Sequence, residues 1–198
     1  MYMKKLYYLM IMFTVGIIAI SCSKDDDGIE AINPEDVKSF LFDSEGTPYW
    51  NDADTLSAEA QECIKKDVIG YGWKRTVSYR LLSDGRLNNI DFYKEIVGGK
   101  LHGIYFESDQ LYTRYETVVA FDRNPLHAIQ FKINLDYPTG IVSLSDSQKI
   151  ALRFLSTSIQ DRKIYLYALE KVDDNTWVFH QFIRMTENEL ETYKKNYL

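Results

Sequence analysis

The sequence predicts an all-β protein in which about eight antiparallel strands run up and down and close into a barrel. From residue 71 onward, apolar and polar residues alternate in most segments, as they do in strands with one face in a core. Short turns separate the segments, and none is long enough for the crossover helix that parallel strands need. An open sheet of this size leaves unpaired edges, so we expect closure, with a sandwich of two sheets as the alternative.

A short helix is expected from residue 33, before the barrel. Asn33 can cap it, Pro34 suits its first position, and Glu35 and Asp36 lie where the helix dipole favours negative charge. The composition divides the chain into a leader at 1–21, a tether at 22–32, this helix with a loop at 33–56, and a domain at 57–198.

A second, N-terminal helix of the domain is expected between Ser57, which can cap it, and Gly70, which ends it. Its apolar residues recur at the spacing of a buried helical stripe, namely Ala60, Cys63, Ile64 and Val68. This position predicts that Cys63 is a buried core thiol rather than a catalytic nucleophile.

Eight or nine strands are expected between residues 71 and 185. In chain order the segments are YGWKRTVSYRL, LNNIDFYKEIV, LHGIYFE, LYTRYETVVAF, AIQFKINL, IVSL, KIALRFLS, KIYLYALEKV and TWVFHQFIRM. An Asp-Gly turn at 83–86 and a tight glycine turn at 98–100 are expected to join the first three segments as hairpins.

Two strands show their faces in the sequence. In AIQFKINL the apolar residues that share one face are Ile129, Phe131, Ile133 and Leu135. In KIYLYALEKV either face could point outward, because one carries Tyr165 and Tyr167 and the other carries Ile164, Leu166 and Ala168.

A short polar helix is expected at the end of the chain. Thr186 can cap it, and Glu189 stands three residues later, which is the spacing of a capping box.

The N-terminal segment resembles a bacterial lipoprotein signal. MYMKK is cationic, LYYLMIMFTVGIIAI is apolar but short for a bilayer span, and SC places a small residue before Cys22. The resemblance implies cleavage before Cys22 and covalent acylation of its thiol, with an uncleaved membrane anchor or an ordinary secretory cleavage site as alternatives. Two or three acyl chains on one residue, palmitate among them, give stable attachment to a membrane.

The residues after Cys22 resemble the acidic export signal of surface lipoproteins in Bacteroidota. This segment consists of Ser23, Lys24, Asp25, Asp26 and Asp27. The resemblance implies a lipid-anchored protein of the outer membrane that faces the cell exterior. A periplasm-facing lipoprotein is the alternative, because such a run would also serve as a solvated spacer.

Residues 57–186 resemble the lipocalin-like domains of Bacteroidota lipoproteins. The likeness is carried by the helix that runs into VIGYGWKRTVSYRLLSDG and by the tyrosine-rich strands that follow. In such barrels a tryptophan plugs one end beside an arginine of the last strand. The resemblance therefore implies that Trp73 and Arg184 form a structural cation–π pair at the end of the barrel.

The charge and the motifs exclude several functions. A net charge of −6 without a basic stripe argues against nucleic acid and anionic lipid as partners. His102, His127 and His180 stand singly, so neither a metal site nor a cofactor is expected. No nucleophile elbow, zinc-protease motif or phosphate loop is present, so no catalytic residue is assigned and the protein is not expected to be an enzyme.

Three functions are compatible with these features. The first is the binding of a small apolar or amphipathic ligand at the open end of the barrel, by residues the sequence does not identify. The second is an interaction module with a solid barrel that presents its loops or its tyrosine face to an envelope protein. The third is an enzyme of unrecognised type. The side chains that could fill the interior are Phe131, Phe154, Tyr165 and Phe179.

Overall fold

The computed structural model describes residues 32, 34–41, 55–81, 86–89, 99–118, 126–147, 150–173 and 176–197. The helices are α1 (Pro34–Leu41), α2 (Ala58–Cys63), which continues as the π-helical turn Ile64–Val68, and α3 (Glu187–Asn196). The strands are β1 (Gly72–Leu81), β2 (Leu87–Asn89), β3 (Gly99–Ser108), β4 (Leu111–Val118), β5 (Leu126–Asp136), β6 (Ile141–Leu144), β7 (Ile150–Gln160), β8 (Lys163–Asp173) and β9 (Thr176–Arg184).

The strands form a closed antiparallel barrel. From β3 to β9, consecutive strands pair with each other, and β3 and β9 both pair with β1, which closes the barrel. The closing ladder runs from Trp73 opposite Arg184 to Leu81 opposite Trp177. This up-and-down architecture is the one that lipocalins share. It confirms the predicted fold class and excludes the two-sheet sandwich.

Strands β2 and β3 together occupy one position in the barrel. The nine strands therefore form an eight-stranded barrel. Both pair antiparallel with β1, β2 near Leu81 and β3 near Gly72, so they run in the same direction. The predicted hairpin at 98–100 is therefore wrong, since Gly99 and Lys100 already belong to β3. The expected turn at 83–86 lies outside the described residues except for Arg86.

Aromatic side chains fill the part of the interior next to α2. The Phe106 ring stacks on Tyr112 at 4.8 Å between centroids and meets Phe154 edge-on at 5.2 Å. Trp73 and Phe182 belong to the same buried cluster. Such contacts contribute both area burial and ring-to-ring attraction.

The structure settles which face of β8 is inside. Leu166 and Ala168 belong to the interior cluster, whereas Tyr165 and Tyr167 are buried on the opposite, outer face. Phe179 stacks on Tyr167 there at 6.1 Å. The interpretation of Tyr165 and Phe179 as interior fillers is therefore wrong, because adjacent positions of a strand point to opposite faces.

The chain before the barrel contributes to burying this outer face. The hydroxyl of Tyr79 donates to the carbonyl of Ile32 at 2.9 Å, and the Ile32 amide donates to Gln181 Oε1 at 3.2 Å. Val37 and Leu41 of α1 are buried as well. The first predicted helix is present, and the loop expected after it lies largely outside the described residues.

Helix α2 covers one end of the barrel. Ser57 caps it as predicted, since its hydroxyl accepts from the Ala60 amide at 3.2 Å. The helix then widens, and the Ile69 amide donates to the carbonyl of Ile64, five residues back. Gly70 follows at φ +87°, a conformation that glycine adopts without strain. Ile64 and Val68 face the barrel core.

Helix α3 packs on the outside of the barrel, and its predicted capping box between Thr186 and Glu189 is present. A Cβ added to Gly103 of β3 would stand 3.2 Å from Tyr193 of this helix and 2.7 Å from the side chain of Met185, which lies just before the helix. Helix α2 and its π-helical turn therefore close one end of the barrel. Helix α3 packs against the outside of β3.

Candidate functional site

The predicted pair of Trp73 and Arg184 lies at the closed end. The two residues are directly opposite each other in the ladder between β1 and β9. Trp73 is fully buried, and its indole Nε1 donates to the carbonyl of Val68 at 3.2 Å. This bond directs the indole towards the π-helical turn. The guanidinium of Arg184 lies instead over the ring of Tyr71, 3.1 Å from its centroid, so the expected cation–π contact with Trp73 is corrected to Tyr71.

A chain of polar side chains crosses the interior of the barrel above the aromatic cluster. Ser78 Oγ lies 2.8 Å from His180 Nδ1, and His180 Nε2 lies 2.9 Å from Glu170 Oε2. The other carboxylate oxygen of Glu170 accepts from Arg114, whose Nε donates to Glu116 at 3.3 Å. These five residues, which we call the polar network, come from β1, β4, β8 and β9.

The protonation of the network follows from its burial. Burial alone would raise the pKa of Glu170, but the charge of Arg114 and the hydrogen bond from His180 outweigh it and hold this pKa well below its usual range. Burial lowers the pKa of His180, although Glu170 opposes the shift. A neutral His180 that donates from Nε2 to Glu170 must accept at Nδ1 from the Ser78 hydroxyl.

The order serine, histidine, carboxylate is also that of nucleophilic catalytic sites. Ser78 and His180, however, have 0% of their surface exposed, and Glu170 has 5%. The Ser78 oxygen already accepts from Arg75 Nη1 at 3.2 Å. Because Ser78 and His180 have no exposed surface in the structure, we interpret these bonds as stabilising the barrel.

A separate cavity lies between α2 and β7. Its volume is about 180 Å³, it is partly open to solvent, and most of its lining is apolar. The described lining residues are Leu56, Glu59, Ala60, Cys63, Ile64, Phe154, Leu155, Ser156, Thr157 and Leu166. The cavity arises where β7 carries a bulge between Phe154 and Ser156, so that the strand and the helix do not close on each other.

Cys63 lines this cavity and is half-buried, not a core thiol as predicted. Its sulfur accepts from the hydroxyl of Thr157 at 3.6 Å, and its thiol donates to Asp67 Oδ2 at 3.6 Å. The helical spacing placed it on the barrel side of α2, but the widening of the helix and the bulge of β7 leave open space beside it.

Sequence reasoning missed both the network and the cavity. A signal for the network was present, since Glu170, His180 and Arg114 interrupt the apolar face of their strands at positions that share parity with Ala168, Phe182 and Tyr112. The chain offered no comparable signal for the cavity, because a bulge in β7 is not visible in its alternation.

The remaining predicted site residues are not placed. Cys22 and residues 23–27 lie outside the described residues. None of the described helices is long and apolar enough to cross a bilayer. Within the same residues, no group of histidine, cysteine, aspartate and glutamate side chains could hold a metal ion.

His102, which is half-buried, and His180, which is fully buried, predict a pH dependence of stability. Burial, with the charges of Lys100 and Arg75, lowers the pKa of His102 to about 4 from its usual 6.5, and the pKa of His180 is lowered as well. The unfolded chain therefore binds more protons below pH 6.5, and the free energy of unfolding should fall from there towards pH 4. Urea unfolding across this range tests the expectation, and His102→Gln should flatten the curve. A stability that stays level over the range would refute it.

No family model matches the chain, and a search of curated proteins found no match. Solved structures that it resembles include the odorant-binding protein from bovine nasal mucosa, with a TM-score of 0.36 and 13% identity over 72% of this chain and 84% of that one. The bovine protein with its natural ligand gives a TM-score of 0.35 and 14% identity over 72% and 84% of the two chains. Similarity at this level says nothing about a ligand, and the fold rests on the strand pairing.

Proposed function

We propose that this protein is a membrane-anchored binding protein for a small apolar or amphipathic molecule, which occupies the cavity between α2 and β7. The cavity is the observation that supports ligand binding. The leader sequence supports the anchor, with lipid on Cys22 and residues 23–27 as the signal that brings the protein to the cell surface.

The size of the cavity suits a small ring or a short alkyl chain. An apolar cavity of about 150 Å³ inside a protein stays dry and accepts benzene. The present cavity, at about 180 Å³, leaves room for such a ring with a short substituent. Phe154, Leu166 and Ile64 supply apolar contact from three directions, since they come from β7, β8 and the π-helical turn.

The sequence predicts ligand binding at the open end of the barrel, on the other side of the aromatic cluster. The cavity under α2 suits an apolar ligand better than that part of the interior. There the ligand would meet the charged groups of Arg114, Glu116 and Glu170. Covering these charges with an apolar group costs free energy. The cavity under α2 has one charged side chain in its described lining, Glu59, which is exposed and can stay in water.

Helix α2 also supplies a way in. None of its residues is buried, whereas Ile64 and Val68 of the following turn are held in the core. The helix is thus fixed at its C-terminal end, and a small outward displacement of the rest opens the cavity without unfolding the barrel.

The alternative function, an interaction module, was expected to use either the loops or the tyrosine face of β8. The tyrosine face is not accessible. The tyrosines that were expected to meet a partner, Tyr165 and Tyr167, are 3% and 4% exposed. They belong to the covered outer face and cannot be offered to another protein without rearrangement.

Filling the cavity should abolish binding. Ala60 lines the cavity and Ala58 lies on the same helix outside it, so Ala60→Leu removes space while Ala58→Leu makes the same change on the exposed side. The full chain in lipid nanodiscs is titrated with benzyl alcohol, and thermal unfolding is followed by tryptophan fluorescence. Saturation at about 100 times the dissociation constant adds about 2.7 kcal/mol. We therefore expect a clear rise in Tm for the wild type and Ala58→Leu.

Ala60→Leu should unfold at a temperature that the ligand does not change. An equal rise in Tm for both variants would place the ligand elsewhere. The absence of any rise in the wild type would refute binding of this class of ligand.

A further inference from the structure

We propose that the cavity selects ligands whose polar head donates a hydrogen bond and is neutral or cationic, and that it rejects carboxylates. This inference rests on the proposed binding function and specifies its ligand class, namely amines and alcohols that carry a small ring or a short alkyl chain.

The charge of the lining is one-sided. Among the ten described lining residues, Glu59 is the one with a charged side chain, and none is basic. Hydrogen bonds at its own backbone and from Ser57 lower the pKa of Glu59, so it is ionised at neutral pH. A ligand carboxylate would approach this charge with no cation of the lining to offset it.

The lysines nearest in sequence are engaged elsewhere. Lys66 forms an ion pair with Glu62 at 3.0 Å, one turn along the helix. Lys65 places its ammonium over the ring of Tyr137, 5.0 Å from the centroid. Neither residue belongs to the lining.

Two of the three uncharged polar side chains of the lining, Thr157 and Cys63, have their hydrogens already engaged. The hydroxyl hydrogen of Thr157 is given to the sulfur of Cys63, and the hydrogen of the Cys63 thiol is given to Asp67. What remains at Thr157 is its oxygen, which can only accept. Glu59 and Thr157 therefore both offer acceptors, and a ligand satisfies them by donating.

The test compares three ligands that share one ring and differ in their head, namely benzylamine, benzyl alcohol and benzoate. Each is titrated by calorimetry into the full chain in nanodiscs, with empty nanodiscs as the blank. We expect the amine and the alcohol to bind up to about fivefold more tightly than benzoate, which is the upper end of what the charge of an exposed side chain such as Glu59 contributes.

Two matched variants separate the local effect of Glu59 from the overall negative charge. Glu59→Gln and Glu62→Gln change the net charge equally on the same helix, but Glu62 lies outside the lining. Glu59→Gln should reduce the preference for amine over benzoate about fivefold, whereas Glu62→Gln should change it less than about twofold. Thr157→Val should weaken benzyl alcohol about threefold or more, because it removes the acceptor.

The outcomes distinguish this inference from the function on which it rests. Benzoate that binds as tightly as benzylamine, or a Glu62→Gln effect equal to that of Glu59→Gln, overturns the selectivity and leaves the cavity as a binding site. Failure of all three ligands to bind overturns the proposed function and the selectivity with it.

Discussion

Glu170→Ala is expected to lower the free energy of unfolding by about 3–5 kcal/mol, a large part of the stability of a domain of this size. Glu170 is the carboxylate that both Arg114 and His180 contact inside the barrel. Its removal leaves the Arg114 charge buried with only Glu116 as a partner among the residues of the network, and it removes the hydrogen bond between Glu170 and His180 Nε2. An unpaired buried charge costs more than the intact pair contributes.

Glu116→Ala is the matched control, since it removes another carboxylate that contacts Arg114. The Glu116 side chain is 21% exposed, compared with 6% for Glu170, so water can replace it. We expect a loss of about 1 kcal/mol or less there. Urea unfolding measures both, and Glu170→Gln serves if Glu170→Ala does not fold. Similar small losses at both positions would contradict the role given to the polar network.

The double variant Glu170→Leu with Arg114→Met adds a second check. Replacing a whole buried ion pair by apolar groups is often neutral or stabilising, whereas breaking it is not. The double variant should therefore be more stable than Glu170→Ala. If the double variant loses as much stability as Glu170→Leu and Arg114→Met lose together when measured singly, the two residues act independently.

Cys22→Ala is expected to abolish acylation and to release the protein from the membrane. The proposed attachment depends on two or three acyl chains on one thiol, so its loss leaves no partial anchor of that kind. Cys63→Ala is the matched control, because Cys63 is the other of the two cysteines in the chain. Cells fed labelled palmitate should transfer the label to the wild type and to Cys63→Ala, but not to Cys22→Ala.

Fractionation of the same cells completes this test. Cys22→Ala that stays wholly in the membrane fraction would favour an uncleaved membrane anchor. Replacement of Asp25, Asp26 and Asp27 by alanine should keep the lipid and protect the protein from external protease. Continued digestion of that variant would refute surface targeting.

The barrel could be predicted because its signal is local. Alternation in AIQFKINL predicted a shared face, and Phe131, Ile133 and Leu135 do pack against the interior cluster. The capping residues Ser57 and Thr186 were identified for the same reason, since a cap depends on residues three positions apart.

The features that failed prediction depend on distant parts of the chain. The hairpin at 98–100 was inferred from glycines, but the direction of β3 is set by its pairing with β1. The hydrogen bonds of the polar network span separations of up to 102 residues along the chain. The cavity depends on how α2 lies against a bulge in β7, so Cys63 was assigned to the core by a helical spacing that could not include the strand.

The central claim is that a small molecule binds between α2 and β7, and a crystal structure with 4-bromobenzyl alcohol tests it most directly. The anomalous signal of bromine locates the ligand without reference to its shape. The account predicts a bromine peak inside the cavity, in contact with Phe154 and Leu166, with the hydroxyl head towards Glu59 and Thr157. A peak among the charged side chains of Arg114 and Glu170, or a cavity that remains empty at saturating ligand, would contradict it.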